Sequence, residues 1–302
     1  MNAPRRNRVD VHGWIVLDKP VGMTSTHAVA AMRRLLNAKK AGHAGTLDPL
    51  ASGILPLAFG EATKTVPYVV DGEKAYTFTV AWGVETDTDD TEGRAVATSD
   101  KRPALAEIEA VLPRFIGIVS QVPPRYSAIK IDGERAYDLA RDGEQVEMVA
   151  RDVHIHALRI VAADENSATF EAECGKGTYV RAIARDMGRA LGCLGHVTAL
   201  RRTRVGPFTL ADATPWADMA DDPKAASEAL LPVEGGLTEL DCVVLSRDGA
   251  ARLKRGQSVI LRGRDAPAEG GPLYAACGGV VIAVGMVEKG EFIPSRVFNL
   301  PF

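Results

Sequence analysis

Strands and helices follow one another without a regular βαβ rhythm in this chain of 302 residues, and that order predicts an α+β fold. Two local patterns sharpen the expectation. Lys74 to Trp82 alternates strongly, with Tyr76, Phe78 and Val80 on one face and Thr77 and Thr79 on the other, as in a half-buried strand. The last stretch of roughly 60 residues consists of short apolar runs divided by glycines, the pattern of a small β-barrel-like module.

From the N-terminus, residues 1–12 read as a short basic arm. Trp14 to Leu17 is apolar and ends at Lys19-Pro20, which predicts a strand running into the turn Pro20-Val21-Gly22. Thr24 or Ser25 then caps a helix whose Val29, Met32, Leu35 and Leu36 share a face. Three glycines and a proline between Gly42 and Gly53 make that segment a loop. Ile54 to Phe59 reads as a buried strand, and Glu61 to Val70 as a helix that Pro67 interrupts.

Thr86 to Gly93 reads as a solvated acidic turn, and Ala104 to Phe115 has a helical period. Gln121-Val122-Pro123-Pro124 cannot continue a regular element, and Ile129 to Gly143 reads as a loop followed by a short helix. Val153 to Val161 and Ala168 to Cys174 are expected strands, with a helix over about Val180 to Leu191. Pro232, Gly235 and Gly236 break the pattern around Leu231 to Leu240, which predicts a boundary between a unit over 13–235 and a module over 240–302. In the module, Ala250 to Lys254 reads as a helix, and Ser258 to Leu261, Leu273 to Ala276 and Val280 to Val287 as strands.

Composition excludes several classes. Hydrophobic residues make up 46% and charged residues 25%, the balance of a globular protein. Four cysteines without a C-x-x-C spacing rule out a disulfide scaffold and argue against structural zinc, so a reduced, cytoplasmic protein is expected. No run of 18 apolar residues is present, so no membrane-spanning helix is expected. Net charge is −3, yet residues 1–70 carry nine Lys/Arg against four Asp/Glu, and residues 171–210 carry seven against three. Two basic stretches in an acidic chain are the material of one polyanion groove, although such clusters also arise by chance and stay solvated.

Familiar signatures fail on spacing. Gly175-Lys176-Gly177-Thr178 lacks the earlier glycine of a phosphate loop, since position 170 is Phe. Counted from Asp87, a calcium loop would need glycine where Glu92 stands and glutamate where Thr98 stands. Asp152, His154 and His156 share a strand face and could hold a metal, but ligands of an open site usually converge from several elements, so an ordinary strand face is the favoured reading. No G-x-S-x-G, H-E-x-x-H or G-x-G-x-x-G pattern occurs, which removes support for hydrolase, zinc-protease and dinucleotide readings.

What remains is one carboxylate, Asp48, in the glycine-rich loop between the basic stretches. Asp-Pro is a common turn starter, so alone it reads as a turn residue. The string His43-Ala44-Gly45-Thr46-Leu47-Asp48-Pro49-Leu50-Ala51-Ser52-Gly53, however, closely resembles the active-site loop of the TruB family of tRNA pseudouridine synthases. Asp18-Lys19-Pro20-Val21-Gly22-Met23-Thr24-Ser25 is similar to that family's N-terminal motif. Gly60-Glu61-Ala62-Thr63-Lys64, Lys74-Ala75-Tyr76 and Gln121-Val122-Pro123-Pro124-Arg125-Tyr126-Ser127 follow in the expected order. Gly177-Thr178-Tyr179-Val180-Arg181, Leu200-Arg201-Arg202-Thr203 and Pro294-Ser295-Arg296-Val297-Phe298 complete the resemblance, which covers nearly the whole chain.

The resemblance implies a mixed-sheet catalytic domain over 13–235 with an insertion at about 125–151, and a PUA-like, RNA-binding module over 240–302. It implies isomerisation of uridine to pseudouridine at position 55 in the tRNA T loop, by a monomer that flips the base and needs no cofactor and no metal. Asp48 would be the nucleophile, attacking C1′ or C6. Arg181 would stand beside Asp48, where residue-level reasoning offers only a surface pair with Asp186. Tyr76 would stack on the flipped uracil, or else be a core aromatic beside Phe78. His43 would hold the flipped arrangement, and Tyr179 and Leu200 would line the pocket. Lys19 would reach a phosphate or orient the loop. Lys64, Arg201 and Arg202, with Arg33, Arg34, Lys39, Lys40 and Arg204, would form a phosphate track. A non-catalytic RNA-binding or tRNA-folding protein on the same scaffold is the alternative.

Overall fold

The computed structural model describes residues 7–127, 129–131, 134–135, 148–261 and 268–302. The helix expected within 129–143 and most of the insertion lie outside the described residues. The strands up to the insertion are β1 (Gly13–Lys19), β2 (Ala41–His43), β3 (Ser52–Phe59), β4 (Lys74–Trp82), β5 (Val84–Thr86), β6 (Ala95–Thr98) and β7 (Gly117–Gln121). A two-strand ladder, β8 (Lys130–Ile131) and β9 (Glu134–Arg135), is followed by β10 (Arg151–Ala163), β11 (Ser167–Cys174), β12 (Gly195–Val205), β13 (Phe208–Thr209) and β14 (Thr214–Pro215). The helices that position the site are α1 (Ser25–Leu35), α2 (Val66–Asp71), α3 (Leu105–Val111) and α4 (Val180–Leu191).

The main sheet runs β14-β1-β3-β12-β4-β11-β10-β7, with β13 on β12 and β2 on β3. Pairing is antiparallel except where β1 meets β14 and where β12 meets β3. Side-chain alternation feeds both faces of the sheet. On β1, Ile15 and Leu17 enter one core with Met32, Phe170, Ile183 and Met187, while Trp14 and Val16 enter a second with Phe208, Val281, Val284 and Phe298. The first core lies between the sheet and α1, α3 and α4. The second joins the sheet to the C-terminal strands.

Those strands are β15 (Cys242–Val244), β16 (Val259–Ile260), β17 (Gly270–Cys277), β18 (Val280–Glu288) and β19 (Glu291–Val297), ordered β15-β17-β18-β19-β16, with a helix over Arg247–Lys254 against them. Residues 233–237, where the composition suggests a boundary, turn under Trp14: its Nε1 donates to the Val233 carbonyl at 3.2 Å, and a side chain at Gly236 would meet the indole at 2.7 Å.

Two expectations are corrected. The central strand β12 carries Leu200-Arg201-Arg202-Thr203 and bonds both β3 and β4, yet no strand is predicted there. The acidic segment 86–93 is not solvated: Thr86, Asp89 and Asp90 are buried, and β5 and β6 close a hairpin around it.

Candidate active site

Parallel pairing of β12 with the start of β3 sets Arg201 opposite Ser52 and Arg202 opposite Gly53, so the 44–51 loop hangs from the middle of the sheet. Gly53 has φ +99°, and a Cβ there would stand 2.2 Å from the Arg202 carbonyl oxygen, which explains the glycine. The loop is pinned from both sides. Ser25, at the start of α1, donates its hydroxyl to the Leu47 carbonyl at 3.0 Å and accepts the Leu47 amide at 2.9 Å. Arg202, 2% exposed, donates from Nε to the Ile54 carbonyl (2.8 Å) and from its two Nη atoms to Thr46 and Gly45 carbonyls (3.1 Å each).

Asp48 projects from this loop at the edge of a cavity of about 810 Å³, with its side chain 34% exposed. The walls come from the α1 start (Thr24, Ser25, Thr26), the loop (His43, Thr46, Leu47, Asp48, Pro49), the acidic turn (Asp87, Thr88, Asp90, Glu92, Gly93, Arg94), Tyr126, Ser127 and Arg181.

Arg181 organises the charge. Its Nε lies 3.0 Å from Asp48 Oδ2 and its Nη1 3.2 Å from Asp90 Oδ2. Nη1 also donates to the Thr88 carbonyl, and Nη2 to the Tyr126 carbonyl, each at 2.9 Å. One nearly buried guanidinium therefore ties the loop, the acidic turn and the irregular segment leading into the insertion. One turn further along α4, Arg185 repeats the design: its guanidinium pairs with Asp89 at 3.0 Å and donates to the Val122 carbonyl at 2.7 Å. Another turn on, Arg189 pairs with Glu85 at 2.7 Å. Burial pushes the Asp89 carboxyl up to about 6, against the opposing pull of Arg185. The helix itself begins without a side-chain cap of its own. Gln121 replaces one, accepting the Tyr179 amide at 2.8 Å and donating to its carbonyl at 3.2 Å.

The structure thus unites Asp48, His43 and Arg181, as the resemblance implies, and makes Arg181 a partner of Asp48 and not of Asp186. Tyr76 lies on β4 opposite Arg202 and is half-buried against the core, with burial pushing its hydroxyl up to about 12. Tyr179, half-buried before α4, is also pushed up, first by burial and further by Asp48. Leu200 is buried opposite Phe78. None of these three is among the residues that line the cavity, where Tyr179 and Leu200 are expected.

The phosphate track is corrected at several positions. Lys19 is fully buried, and its Nζ donates to the Pro20 and Met23 carbonyls at 2.9 and 2.8 Å, so it orients the turn. Burial brings Lys19 down to about 8, with Asp48 pulling the other way. Arg202 holds the loop and is likewise closed to a phosphate. Arg201 forks onto Asp18 at 3.0 and 2.7 Å, and Arg204 onto Glu73 and Glu239. Lys64 pairs with Glu61 and donates to the Val297 carbonyl at 2.8 Å, fastening the C-terminal strands. Arg33 and Arg34 end α1, Lys39 pairs with exposed Asp10, and Lys40 is exposed. On β10, the His154 and His156 rings lie 4.0 Å apart and His156 meets Glu73 at 3.4 Å, but among the described residues no group of three metal-ligating side chains converges.

Residue reasoning overlooked Asp90, Asp89 and Arg185. A signal was present: arginines at positions 181, 185 and 189 share one face of an apolar helix, and buried arginines demand carboxylates, which the 85–92 segment supplies.

Comparison with known proteins agrees with this geometry. Residues 33–180 match the model for the TruB family pseudouridylate synthase N-terminal domain, and residues 181–238 match that for the tRNA pseudouridylate synthase B C-terminal domain. The tRNA pseudouridine synthase B of Rhodopseudomonas palustris is 61% identical over 305 residues, covering 98% of this chain and 83% of its own. That of Rhizobium meliloti is 53% identical over 308 residues, covering 99% of both. Among solved structures, an H/ACA RNP bound to a substrate RNA containing 2'-deoxyuridine superposes with a TM-score of 0.74 at 23% identity, over 96% of this chain and 86% of that one, which is a likeness of fold. No helix among the described residues is long and apolar enough to cross a membrane. Family models spanning most of the chain, and relatives more than half identical along nearly its full length, establish that it belongs to the TruB family of pseudouridylate synthases.

Proposed function

We propose that the protein converts uridine to pseudouridine at position 55 in the T loop of tRNA, with Asp48 as the nucleophile. The observation that carries this reading is the Asp48 carboxylate at a cavity of about 810 Å³, ion-paired to an Arg181 that Asp90 also neutralises. With two carboxylates on one guanidinium, Asp48 is held in place by Arg181 without being its sole ionic partner.

The reaction breaks the N1–C1′ bond, turns the uracil and rejoins it through C5. C5 gives up its proton and N1 gains one, so the balance calls for no redox partner and no net hydrolysis. An Asp48 oxygen adds to C1′ or C6 and leaves again when the C5 bond forms. Reaching the carboxylate requires the base to leave its stack, at a cost of a few kcal/mol. His43 on the cavity wall helps hold the extruded nucleotide. Tyr76, within electrostatic reach of Asp48 although outside the residues that line the cavity, is the ring the family resemblance assigns to the released base; such stacking contributes about 1–3 kcal/mol. Asp48, Arg181 and Asp90 come from one chain, so a monomer suffices. Buried Cys174, Cys193 and Cys277 remain free thiols, which suits the reducing cytoplasm where tRNA matures.

The alternative, an RNA-binding protein with an idle loop, is separated by one experiment. Tritium release from C5-labelled uridine in an unmodified T-arm is measured with and without EDTA, for the wild type and Asp48→Asn. EDTA-resistant release that disappears in Asp48→Asn, while RNA binding persists, supports the synthase. Binding without release from the wild type overturns it.

A further inference from the structure

The acidic turn that faces the Asp48 loop is held more firmly than a surface connection requires. Its ends close on each other: the Asp87 amide donates to the Arg94 carbonyl at 3.0 Å, and the Arg94 amide donates to Asp87 Oδ1 at 2.8 Å. Inside it, Asp90 Oδ1 accepts the Thr88 hydroxyl at 2.5 Å and the Glu92 amide at 2.9 Å. The buried pairs Asp89–Arg185 and Asp90–Arg181 anchor it to α4. At Gly93 a Cβ would stand 2.3 Å from Thr88 Oγ1 and 2.8 Å from the Thr88 amide nitrogen, so the turn closes only on glycine. Arg94 therefore leaves this frame from a fixed point.

Charge gives that point a purpose. The cavity lining carries four carboxylates, Asp48, Asp87, Asp90 and Glu92, and two arginines, Arg181 and Arg94. Arg181 is fully engaged with Asp48, Asp90 and two carbonyls. Arg94 is exposed, and its guanidinium makes no ion pair among the described residues. A polynucleotide brings one negative charge per linkage to a mouth rich in carboxylates, an approach that is repulsive unless a cation meets it. A guanidinium fork matches two phosphate oxygens in geometry as well as in charge.

We propose that Arg94 is a phosphodiester contact of the substrate strand, held at the cavity mouth by the closed 87–94 turn and engaging a linkage that flanks the uridine entering the cavity. The inference rests on the pseudouridine synthase reading and adds to it a named contact for the strand. The turn then has two ends with separate tasks. Asp90 on the inner side shares Arg181 with Asp48, and Arg94 on the outer side offsets the acidity that this sharing creates.

The test uses the full chain and an unmodified T-arm stem-loop RNA, with dissociation constants taken across a salt series. Arg94→Ala should flatten the slope of log K against log salt by about 0.7–0.9, the share of one phosphate contact, and Arg94→Lys should restore it. Methylphosphonate linkages placed singly on either side of the target uridine locate the contact: the neutral linkage that weakens wild-type binding should leave Arg94→Ala unaffected. A wild-type slope in Arg94→Ala, or equal sensitivity of both proteins to each neutral linkage, overturns the inference while the synthase reading stands. A wild type that neither binds nor isomerises the stem-loop overturns both.

Discussion

Asp90→Asn isolates the sharing of Arg181 between two carboxylates. The Asp90 side chain is 2% exposed, its Oδ2 lies 3.2 Å from Arg181 Nη1, and its Oδ1 accepts from Thr88 and Glu92. The amide is nearly isosteric and can keep an oxygen toward those two donors, so the fold of the turn should survive. What disappears is one negative charge and one acceptor beside Arg181, since the amide nitrogen that replaces Oδ2 faces Nη1 donor to donor. A buried charge-assisted hydrogen bond contributes about 1.5–3 kcal/mol. Without it, Asp48, 3.0 Å from Nε, is the one carboxylate left on Arg181 beside the two carbonyls, and the nucleophile is stabilised in its resting state by up to a similar amount. At 1.4 kcal/mol per decade, the single-turnover rate should fall roughly 10- to 150-fold. The assay is single-turnover tritium release from C5-labelled T-arm RNA, with the dissociation constant measured on the same preparations. The reasoning requires the loss to appear in the rate while RNA affinity stays within a few-fold, since Asp90 lies inside the cavity wall. A folded Asp90→Asn protein with a rate within threefold of wild type would refute it. So would a loss confined to binding.

Two further predictions concern the frame. Gly53→Ala combines a left-handed φ with a backbone atom 2.2 Å from the new Cβ, and should cost about 2–6 kcal/mol, lowering Tm by roughly 5 °C or more; Gly22→Ala, at φ +87° with open space around it, should cost only the backbone term, so equal melting shifts for the two would contradict the clash. Asp89 titrates near 6 in the folded protein and near the ordinary carboxylate value when unfolded, so the folded state binds the extra proton between these values and stability falls as pH rises from about 4 to 6. Two pKa units amount to at most about 3 kcal/mol. Chemical denaturation across that range should show the wild type losing stability relative to Asp89→Asn, and a flat or rising difference would count against the assignment.

The residues that sequence reasoning misplaced share a physical cause. Alternation and glycine spacing are local signals, and they located β1, β3, β4, β10, β11 and α4 to within a few residues because each of these elements declares its buried face in its own few turns. A charge declares nothing until its partner is known. Arg202 reads as a surface cation in Arg201-Arg202-Thr203-Arg204, yet it is a core residue whose acceptors lie 148–157 residues away in the chain. That same charged run hid β12, since its inward positions hold Leu200 and Arg202 where a strand signal expects two apolar side chains. Lys19 was equally ambiguous, because its carbonyl partners are backbone atoms of a turn that no composition reveals. The acidic turn reads as solvated because Asp89 and Asp90 find Arg185 and Arg181 more than 90 residues later. Asp48 was reached only through the resemblance of a whole loop, and the structure supplies the reason that such a loop is recognisable at all. Ser25, Gly53 and Arg202 must each be what they are for the loop to hang where Arg181 can meet it. A site assembled from long-range ion pairs therefore leaves its clearest mark in the constraints on the backbone that carries it, and a weaker one in the charged residues that complete it.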